Sequence, residues 1–472
     1  MANSMFEHCG VIGIHSLEKK NVVPMLLAGL EALQHRGQES WGIAVPNHQL
    51  YKRMGIVSSI EEEFKVLSKI SGNAGVGHVR YTTTSRSVLE NAHPIEIGES
   101  NRFYICHNGT LDRDLLISHL KKEGCLPKRS TTDTELLGIG LHRNLEKGLS
   151  WVEAFETLNP DLNGSFSITI LTDKGELLAA RDDRGFRPLC LGWHEETDSY
   201  IIASESCALD YLGARLIRDV QPGEAIKVDE NGLDEQRFSC LERHAHCAFE
   251  YTYFAHPSSY IEEVNVYHAR KNIGMHLAEK YPIDGDVVVP VPDSARPAAL
   301  GYSEKSGIPF EEGLMKDRYR RKGSWRSFIE PGKREEVVLN ITPIRNAVER
   351  KKVILIDDSI VRGTSSKIII KEKLKDAKDV FFLLTFPPIM FPCYMGIDFP
   401  TQEELLVYRV CGATRNTDEI NKKVGKEIGV KFLGYNDADG LIQGIGLPKD
   451  QLCLACTAGD YSCLKQKPRF KR

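Results

Sequence analysis

The chain has no long hydrophobic run. Its most apolar stretch, Val380 to Phe391, is broken by Pro387 and Pro388 and falls short of the roughly 20 residues a membrane helix needs. It has little net charge either: 61 Lys plus Arg against 65 Asp plus Glu leave -4. No overall field therefore draws it to nucleic acid or an anionic membrane, and any anion site must be a local patch. The first residues, MANSMFEHCGVIGI, lack the basic segment, apolar core and small-residue cleavage site of a secretory signal, so the cytoplasm is the expected location. Twelve cysteines in 472 residues, without dense regular spacing, do not make a secreted disulfide framework. In a reducing compartment they serve as core residues, nucleophiles or metal ligands. Internal repeats and low-complexity tracts are absent.

What is present is an ordinary soluble composition, 41% hydrophobic and 27% charged, at a length that makes two or three domains, each able to bury a core. The first half is rich in short apolar segments with strand character: Val11 to Ile14, Gly42 to Val45, Gly75 to Val79, Phe103 to Cys106, Ser165 to Leu171 and Tyr200 to Ala203. Helical stretches near Val22 to Leu33 and Thr134 to Asn144 interrupt them. Many strands with grouped helices predict an α+β domain of packed sheets. After about residue 240 helix and strand alternate: helix Val266 to Lys280, strand Asp286 to Val291, helix Arg296 to Lys305, strand Val353 to Ile356, helix Ser365 to Leu374, strand Val380 to Thr385. Alternation predicts parallel strands in a doubly wound sheet. The boundary is expected near Asn231 to Arg243, where Asn-Gly and charged residues cluster.

The segment VILIDDSIVRGTSSKII carries the strongest chemical signal. A β-branched strand ends in Asp357 and Asp358, and a short polar turn then opens a helix. Gly363 lets the backbone approach an anion, and Thr364, Ser365 and Ser366 offer hydroxyls and amides where the helix dipole favours negative charge. The two carboxylates can accept hydrogen bonds from ribose hydroxyls or hold a divalent cation. The segment resembles the 5-phosphoribosyl-1-diphosphate (PRPP) motif of the type I phosphoribosyltransferases. VVVPVPDSARPAALGYSEKSGIPFEEGLMKDRY and FPPIMFPCYMGIDFPTQEEL extend the resemblance to the amidophosphoribosyltransferase family. It implies magnesium at Ser294, Asp357 and Asp358, and PRPP contacts from Lys316, Arg318, Arg362, Gly363, Thr364, Ser365 and Ser366. The stretch Lys316 to Arg334, with eight basic and two acidic residues, reads alone as a solvated loop; the resemblance implies a flap closing over PRPP.

Cys9 stands directly before a strand, where an isolated cysteine is most often a buried apolar residue. Cysteine-driven amide hydrolysis needs a base near the thiol, donors for the oxyanion and a seat for the substrate's charged end. If Met1 to His8 are removed, the new α-amino group of Cys9 can act as that base. Arg80 in GHVRYTT, Asn108 and Gly109 in HNGTL and Asp133 in STTDTE are candidates for the rest. Each has a plainer reading: a surface ion pair, a hairpin turn, a helix cap. Together they resemble the glutaminase domain of the N-terminal nucleophile amidotransferases, and LQHRGQESWGIAV, NGSFSITIL, RDDRGFRPLCLG and SESCALD carry the resemblance through residue 210. It implies Arg80 on the glutamine carboxylate, Asp133 on its ammonium, and Asn108 with the Gly109 amide as the oxyanion hole.

Cys453 and Cys456 form a C-x-x-C pair, open on its own to zinc, redox or coincidence. With Cys247 and Cys393 it falls where iron-sulfur members of the family carry four ligands, which implies a [4Fe-4S] cluster; zinc suits four cysteines equally. The role of Cys463 is unread. The other cysteines, Cys106, Cys125, Cys190, Cys207, Cys240 and Cys411, are taken as structural. The fold implied is an α+β N-terminal nucleophile hydrolase domain followed by an α/β type I phosphoribosyltransferase domain with a parallel sheet. Its divisions are a propeptide at 1-8, a glutaminase domain at 9-235 and a phosphoribosyltransferase domain at 236-472. The activity implied is glutamine hydrolysis with ammonia transfer to C1 of PRPP, giving 5-phosphoribosylamine, glutamate and pyrophosphate at the committed step of purine synthesis. Magnesium, purine nucleotides as feedback inhibitors and a homo-oligomer are implied with it. Two alternatives stand beside this reading: a sugar-phosphate aminating synthase sharing the first half, and a PRPP- or nucleotide-sensing regulator without catalysis. The chain departs from the family pattern at Arg296, His256, Ser258 and Thr110, and in a longer flap.

Overall fold

The computed structural model describes residues 9–47, 49–57, 65, 67–81, 88–127, 132–316, 341–397, 399 and 401–466. The expected propeptide, Arg318 and nearly all of the expected flap lie outside them.

Two antiparallel sheets build the first half. One contains β1 (Gly10–Ser16), β2 (Ser40–Val45), β3 (Gln49–Met54), β4 (Ala74–Arg80), β9 (Cys190–His194), β10 (Ser199–Ala203) and β11 (Arg215–Asp219), in the order β11-β9-β10-β1-β4-β2-β3. The other contains β5 (Ile95–Ile97), β6 (Phe103–Leu111), β7 (Gly164–Thr172), β8 (Leu177–Arg181), β12 (Glu224–Asp229) and β13 (Gly232–Arg237), in the order β13-β12-β8-β7-β6-β5. Their central strands are buried on both faces because each sheet is covered twice, while the edge strands β3, β11 and β13 are more polar and exposed. Val11, Val76, Tyr104, Leu171 and Ile202 fill the space between the sheets. α1 (Val23–Ala32) and α5 (Ser206–Tyr211) cover the first sheet; α2 (Arg113–Lys122), α3 (Asp133–Glu146) and α4 (Trp151–Leu158) cover the second. The layers run helix, sheet, sheet, helix.

The second half holds a parallel sheet of β14 (Val287–Pro290), β15 (Lys352–Asp357), β16 (Asp379–Leu384) and β17 (Phe432–Tyr435), paired in that order. Alternate residues of the same strands serve opposite cores. Val288, Ile354, Ile356 and Leu383 pack with α6 (Val266–Lys280) and α7 (Arg296–Ser306). Val289, Leu355, Phe382 and Leu384 pack beneath Ile420, Val424 and Ile428 of α9 (Thr417–Ile428). The expected helix from Ser365 is α-helical only over α8 (Thr364–Ile368) and continues as a π-helical turn over Ile369–Lys373. His246–Cys247 pairs in parallel with Leu452–Cys453, so the chain's C-terminal segment lies against the junction of the halves. Among the described residues no helix is long and apolar enough to cross a membrane.

Candidate functional site

The sheet pairing carries Cys9 and Arg80 to one place. Gly10 is opposite Val79 in the β1–β4 ladder, so the residue before β1 meets the last residue of β4. The Cys9 thiol donates to the Tyr81 carbonyl at 3.5 Å, and Arg36 Nε donates to the Cys9 carbonyl at 3.1 Å. Burial pushes the Cys9 thiol above its ordinary value, opposed by its hydrogen bond to the Tyr81 backbone and by the Arg80 charge; Glu39 and Asp133 act with burial. The thiol thus needs a base to ionise it, and the nearby charges of Arg80 and Asp133 set its field.

Asn108 and Gly109 lie on β6, not in a hairpin turn: Asn108 faces Ser167 and Gly109 faces Phe166 across β7. A Cβ on Gly109 would come within 2.1 Å of the Ser165 carbonyl oxygen, so only glycine permits that register. Asn108 is fully buried, and among the described residues neither its Nδ2 nor its Oδ1 has a hydrogen-bond partner. An orphaned buried amide is costly, and Nδ2 is the kind of donor an oxyanion requires. Asp133 is the first residue of α3, capped by the Thr132 hydroxyl. Its Oδ2 accepts from Leu111 N at 2.9 Å and its Oδ1 from Thr134 N at 3.0 Å, fixing the carboxylate against the end of β6. Beside this strand His107 bonds Thr134 Oγ1 at 3.0 Å, and His78 bonds the His107 carbonyl at 3.0 Å. Burial lowers both imidazoles, His78 to about 3, so they brace the strand as neutral rings.

At the parallel sheet, Asp357 ends β15 and Asp358 follows it. Ser294 Oγ donates to Asp358 Oδ2 at 2.6 Å, Ser359 Oγ to Asp358 Oδ1 at 2.8 Å, and Asp358 N to Asp357 Oδ1 at 2.9 Å. Burial first, and then the Asp358 charge, raise the Asp357 carboxyl; burial raises that of Asp358 against the hydroxyls of Ser294 and Ser359 and the charge of Arg270. Two carboxylates crowded at a strand end, where burial disfavours their charge, fit a hard divalent cation such as magnesium. Gly363 has φ +80°, and a Cβ there would meet Leu406 Cδ2 at 2.6 Å. Arg362 turns to Glu404, with Nε and Nη2 donating to Oε2 at 3.0 and 2.7 Å. Its buried Nη1 has no partner among the described residues. Ser366 is buried, Ser365 half-buried and Thr364 exposed. Lys316 ends a short strand and reaches Asp293 Oδ2 at 3.1 Å.

A cavity of about 660 Å³ takes its walls from both halves. His35 and Gln38 of the first half line it, and so do Tyr253, Arg270, Asp293 and Ser294 of the second. Gly37, beside Gln38, is pressed so closely on the backbone of Val79 and Arg80 that a Cβ would come within 2.6 Å. The cavity wall is therefore one residue from the strand end that carries Arg80.

Cys247, Cys393, Cys453 and Cys456 gather from three segments. Cys247 is in register with Cys453. Met390 N and Phe391 N both donate to the Cys456 carbonyl at 3.0 Å, bringing the Cys393 loop alongside. Cys463 is hydrogen-bonded to Cys453. Burial raises the Cys247 thiol to about 11 and, with neighbouring sulfurs, the Cys456 thiol well above its ordinary value, which a bound cation reverses. Four thiolate donors brought together in this way fit either a [4Fe-4S] cluster or zinc. Cys240, taken as structural, is exposed.

Sequence reading missed a buried charge network. Arg36 forks to Glu250 at 2.9 and 3.1 Å and binds Glu205; Arg187 Nη1 reaches Glu250 Oε1 at 3.1 Å, and Arg187 Nε reaches the Met395 carbonyl at 3.0 Å. Ser165 Oγ donates to the same carbonyl at 2.8 Å. Burial disfavours the Arg36 cation, but Glu250 and Glu205 outweigh it and keep it charged. The only signal in the sequence was a set of arginines in the segments LQHRG and RDDRGFRP, whose partners lie far away in the chain.

Comparison with known proteins is consistent with this layout. A model of the glutamine amidotransferase domain matches residues 78–211. The chain is 40% identical to an amidophosphoribosyltransferase of Methanocaldococcus jannaschii, over 96% of this chain and 97% of that one. It is 36% identical to one of Bacillus subtilis, over 96% and 94%. Among solved structures it is similar to the glutamine PRPP amidotransferase of Bacillus subtilis complexed with ADP and GMP, with TM-score 0.83, 36% identity and coverage of 96% and 97%.

Proposed function

Since the chain belongs to the amidophosphoribosyltransferase family, we propose how its own residues divide the reaction that hydrolyses glutamine and transfers the ammonia to C1 of PRPP. The division is a glutaminase unit at 9-235 and a phosphoribosyltransferase unit at 236-472, with 1-8 as propeptide. In the first unit Arg80 seats the glutamine carboxylate and Asp133 its ammonium. Cys9, its α-amine freed by loss of the propeptide, attacks the side-chain amide. Asn108 Nδ2 and the Gly109 amide receive the oxyanion, the α-amine carries the thiol proton to the leaving nitrogen, which departs as ammonia, and water then cleaves the glutamyl thioester to release glutamate and restore Cys9. In the second unit PRPP lies between the Gly363–Ser366 turn and the Asp293–Ser294 loop, with Lys316 and Arg318 at the flap. Ser294, Asp357 and Asp358 would hold magnesium, which neutralises charge on the departing pyrophosphate. Ammonia attacks C1 as the C1–oxygen bond to pyrophosphate breaks.

The observation that carries this reading is the cavity walled by His35 and Gln38 on one side and by Arg270, Asp293 and Ser294 on the other. A cavity with walls from both halves is where ammonia released in the first unit would meet PRPP held in the second. The four cysteines Cys247, Cys393, Cys453 and Cys456 hold a [4Fe-4S] cluster that ties the C-terminal segment to the junction. Purine nucleotides act as feedback inhibitors, a reading supported by the ADP and GMP named in the Bacillus subtilis complex. Homo-oligomeric assembly and a cytoplasmic location complete the reading.

The test uses purified protein with glutamine, PRPP and magnesium, and follows pyrophosphate release. Cys9→Ala is expected to keep ammonia-dependent synthesis and lose glutamine-dependent synthesis. Retention of both activities overturns the assignment of Cys9.

A further inference from the structure

Arg296 begins α7 and lines the interdomain cavity together with Asp293, Ser294 and Lys316. The carboxylate of Asp293 is shared by two cations, Arg296 Nη1 on Oδ1 at 2.6 Å and Lys316 Nζ on Oδ2 at 3.1 Å. On its other side Arg296 Nε is clipped to both oxygens of Glu312, at 2.9 and 3.2 Å. Nη2 has no hydrogen-bond partner among the described residues. The guanidinium is therefore anchored by one edge, and the edge bearing Nη1 and Nη2 faces only a carboxylate that Lys316 also claims. That edge is the fork that matches two oxygens of a phosphate.

The four groups balance, two cations against two anions, and all are partly exposed. Exposed ion pairs are weak and exchange readily. Two charge-assisted bonds to a multiply charged phosphate are stronger than one to a shared carboxylate. A small uncharged side chain at this position could make neither contact.

We propose that Arg296 is a pyrophosphate-binding residue of this chain, held beside the Asp293–Ser294 loop by Glu312 and turned, with Lys316, from Asp293 onto the pyrophosphate group of PRPP. Asp293 occupies the two cations until that group arrives. The inference rests on the reading of this loop as the PRPP-facing one. It makes Arg296 a determinant of affinity for the diphosphate end of the substrate and for the pyrophosphate product, which carries the same charge.

The experiment compares the unaltered full-length protein with Arg296→Ala, Arg296→Lys and Glu312→Gln, using magnesium pyrophosphate as competitive inhibitor and PRPP as varied substrate. Arg296→Ala is expected to raise both the KM for PRPP and the inhibition constant of pyrophosphate about tenfold, the loss of one charge-assisted contact, with the KM for glutamine unmoved. Arg296→Lys recovers part of this, because a point charge replaces a fork. Glu312→Gln, which loosens the anchor and leaves the cation, is expected to raise the inhibition constant of pyrophosphate by less than Arg296→Ala does. If Arg296→Ala and Arg296→Lys, both melting as the unaltered protein does, keep its KM and inhibition constant, or if Glu312→Gln weakens pyrophosphate more than Arg296→Ala does, the proposal is overturned. An unaltered protein that releases no pyrophosphate from PRPP overturns the underlying reading instead, so the two failures are distinct.

Discussion

At the scale of single residues the glutaminase centre depends on backbone register. Replacing Gly109 by alanine sets a methyl group 2.1 Å from the Ser165 carbonyl; strands β6 and β7 must part there. Glutamine-dependent synthesis is expected to vanish while ammonia-dependent synthesis persists, with a drop in stability on the order of 2 kcal/mol or more, read by urea unfolding. Asn108→Ala removes the proposed oxyanion donor and is expected to lower the kcat for glutamine by about 10²- to 10³-fold, measured as glutamate formed. A pH effect belongs here too. Burial, and then Asp183, push the Asp182 carboxyl up to about 6. The folded chain then keeps a proton that the unfolded chain has released by about pH 4. Stability is fullest below that value and declines as pH rises through 6. Asp182→Asn is expected to flatten the urea midpoint between pH 4 and 7. The candidate residues Cys9, Arg80, Asn108, Gly109 and Asp133 could be named from the sequence because each stands in a short motif. Glu205, Glu250 and Arg270 were not, because a buried charge announces itself only through partners far away in the chain.

At the scale of elements, the strands from Val11, Gly42, Gly75, Phe103, Ser165 and Tyr200 and the helix Val266–Lys280 were legible from apolar runs and periodicity. Their observed ends extend by only a few residues. Helices α2 and α4 went unread: α2 is largely polar, with only Leu116 and Leu120 buried, and α4 has eight residues. The Asn108-Gly109 pair reads locally as a turn, but cross-strand pairing with β7 overrides that preference. The turn before α8 has its own constraint. Gly363→Ala adds a Cβ at φ +80° and 2.6 Å from Leu406 Cδ2, which shifts the Thr364–Ser366 amides. A rise of about tenfold or more in the KM for PRPP is expected, with the KM for glutamine unchanged, from initial rates at varied PRPP.

At the scale of the whole molecule, the two halves are joined by buried charge. Arg36→Met leaves Glu205 and Glu250 buried without their main cation. It is expected to cost about 3–5 kcal/mol, seen as a lower thermal midpoint, and to weaken both activities together. Iron and sulfide analysis with intact mass tests the cysteine site and the start of the mature chain at once: about four of each per chain, and a mass beginning at Cys9, are expected. The loop that follows Cys393 is the place where these matters meet. Its Met395 carbonyl is gripped by Arg187 and Ser165, and a Cβ on Gly396 would sit 3.2 Å from the Gly109 backbone. A hybrid enzyme spliced between relatives must therefore inherit this loop and its seat on β6 from the same parent, or the donor of one half will misalign the amide-cleaving centre of the other.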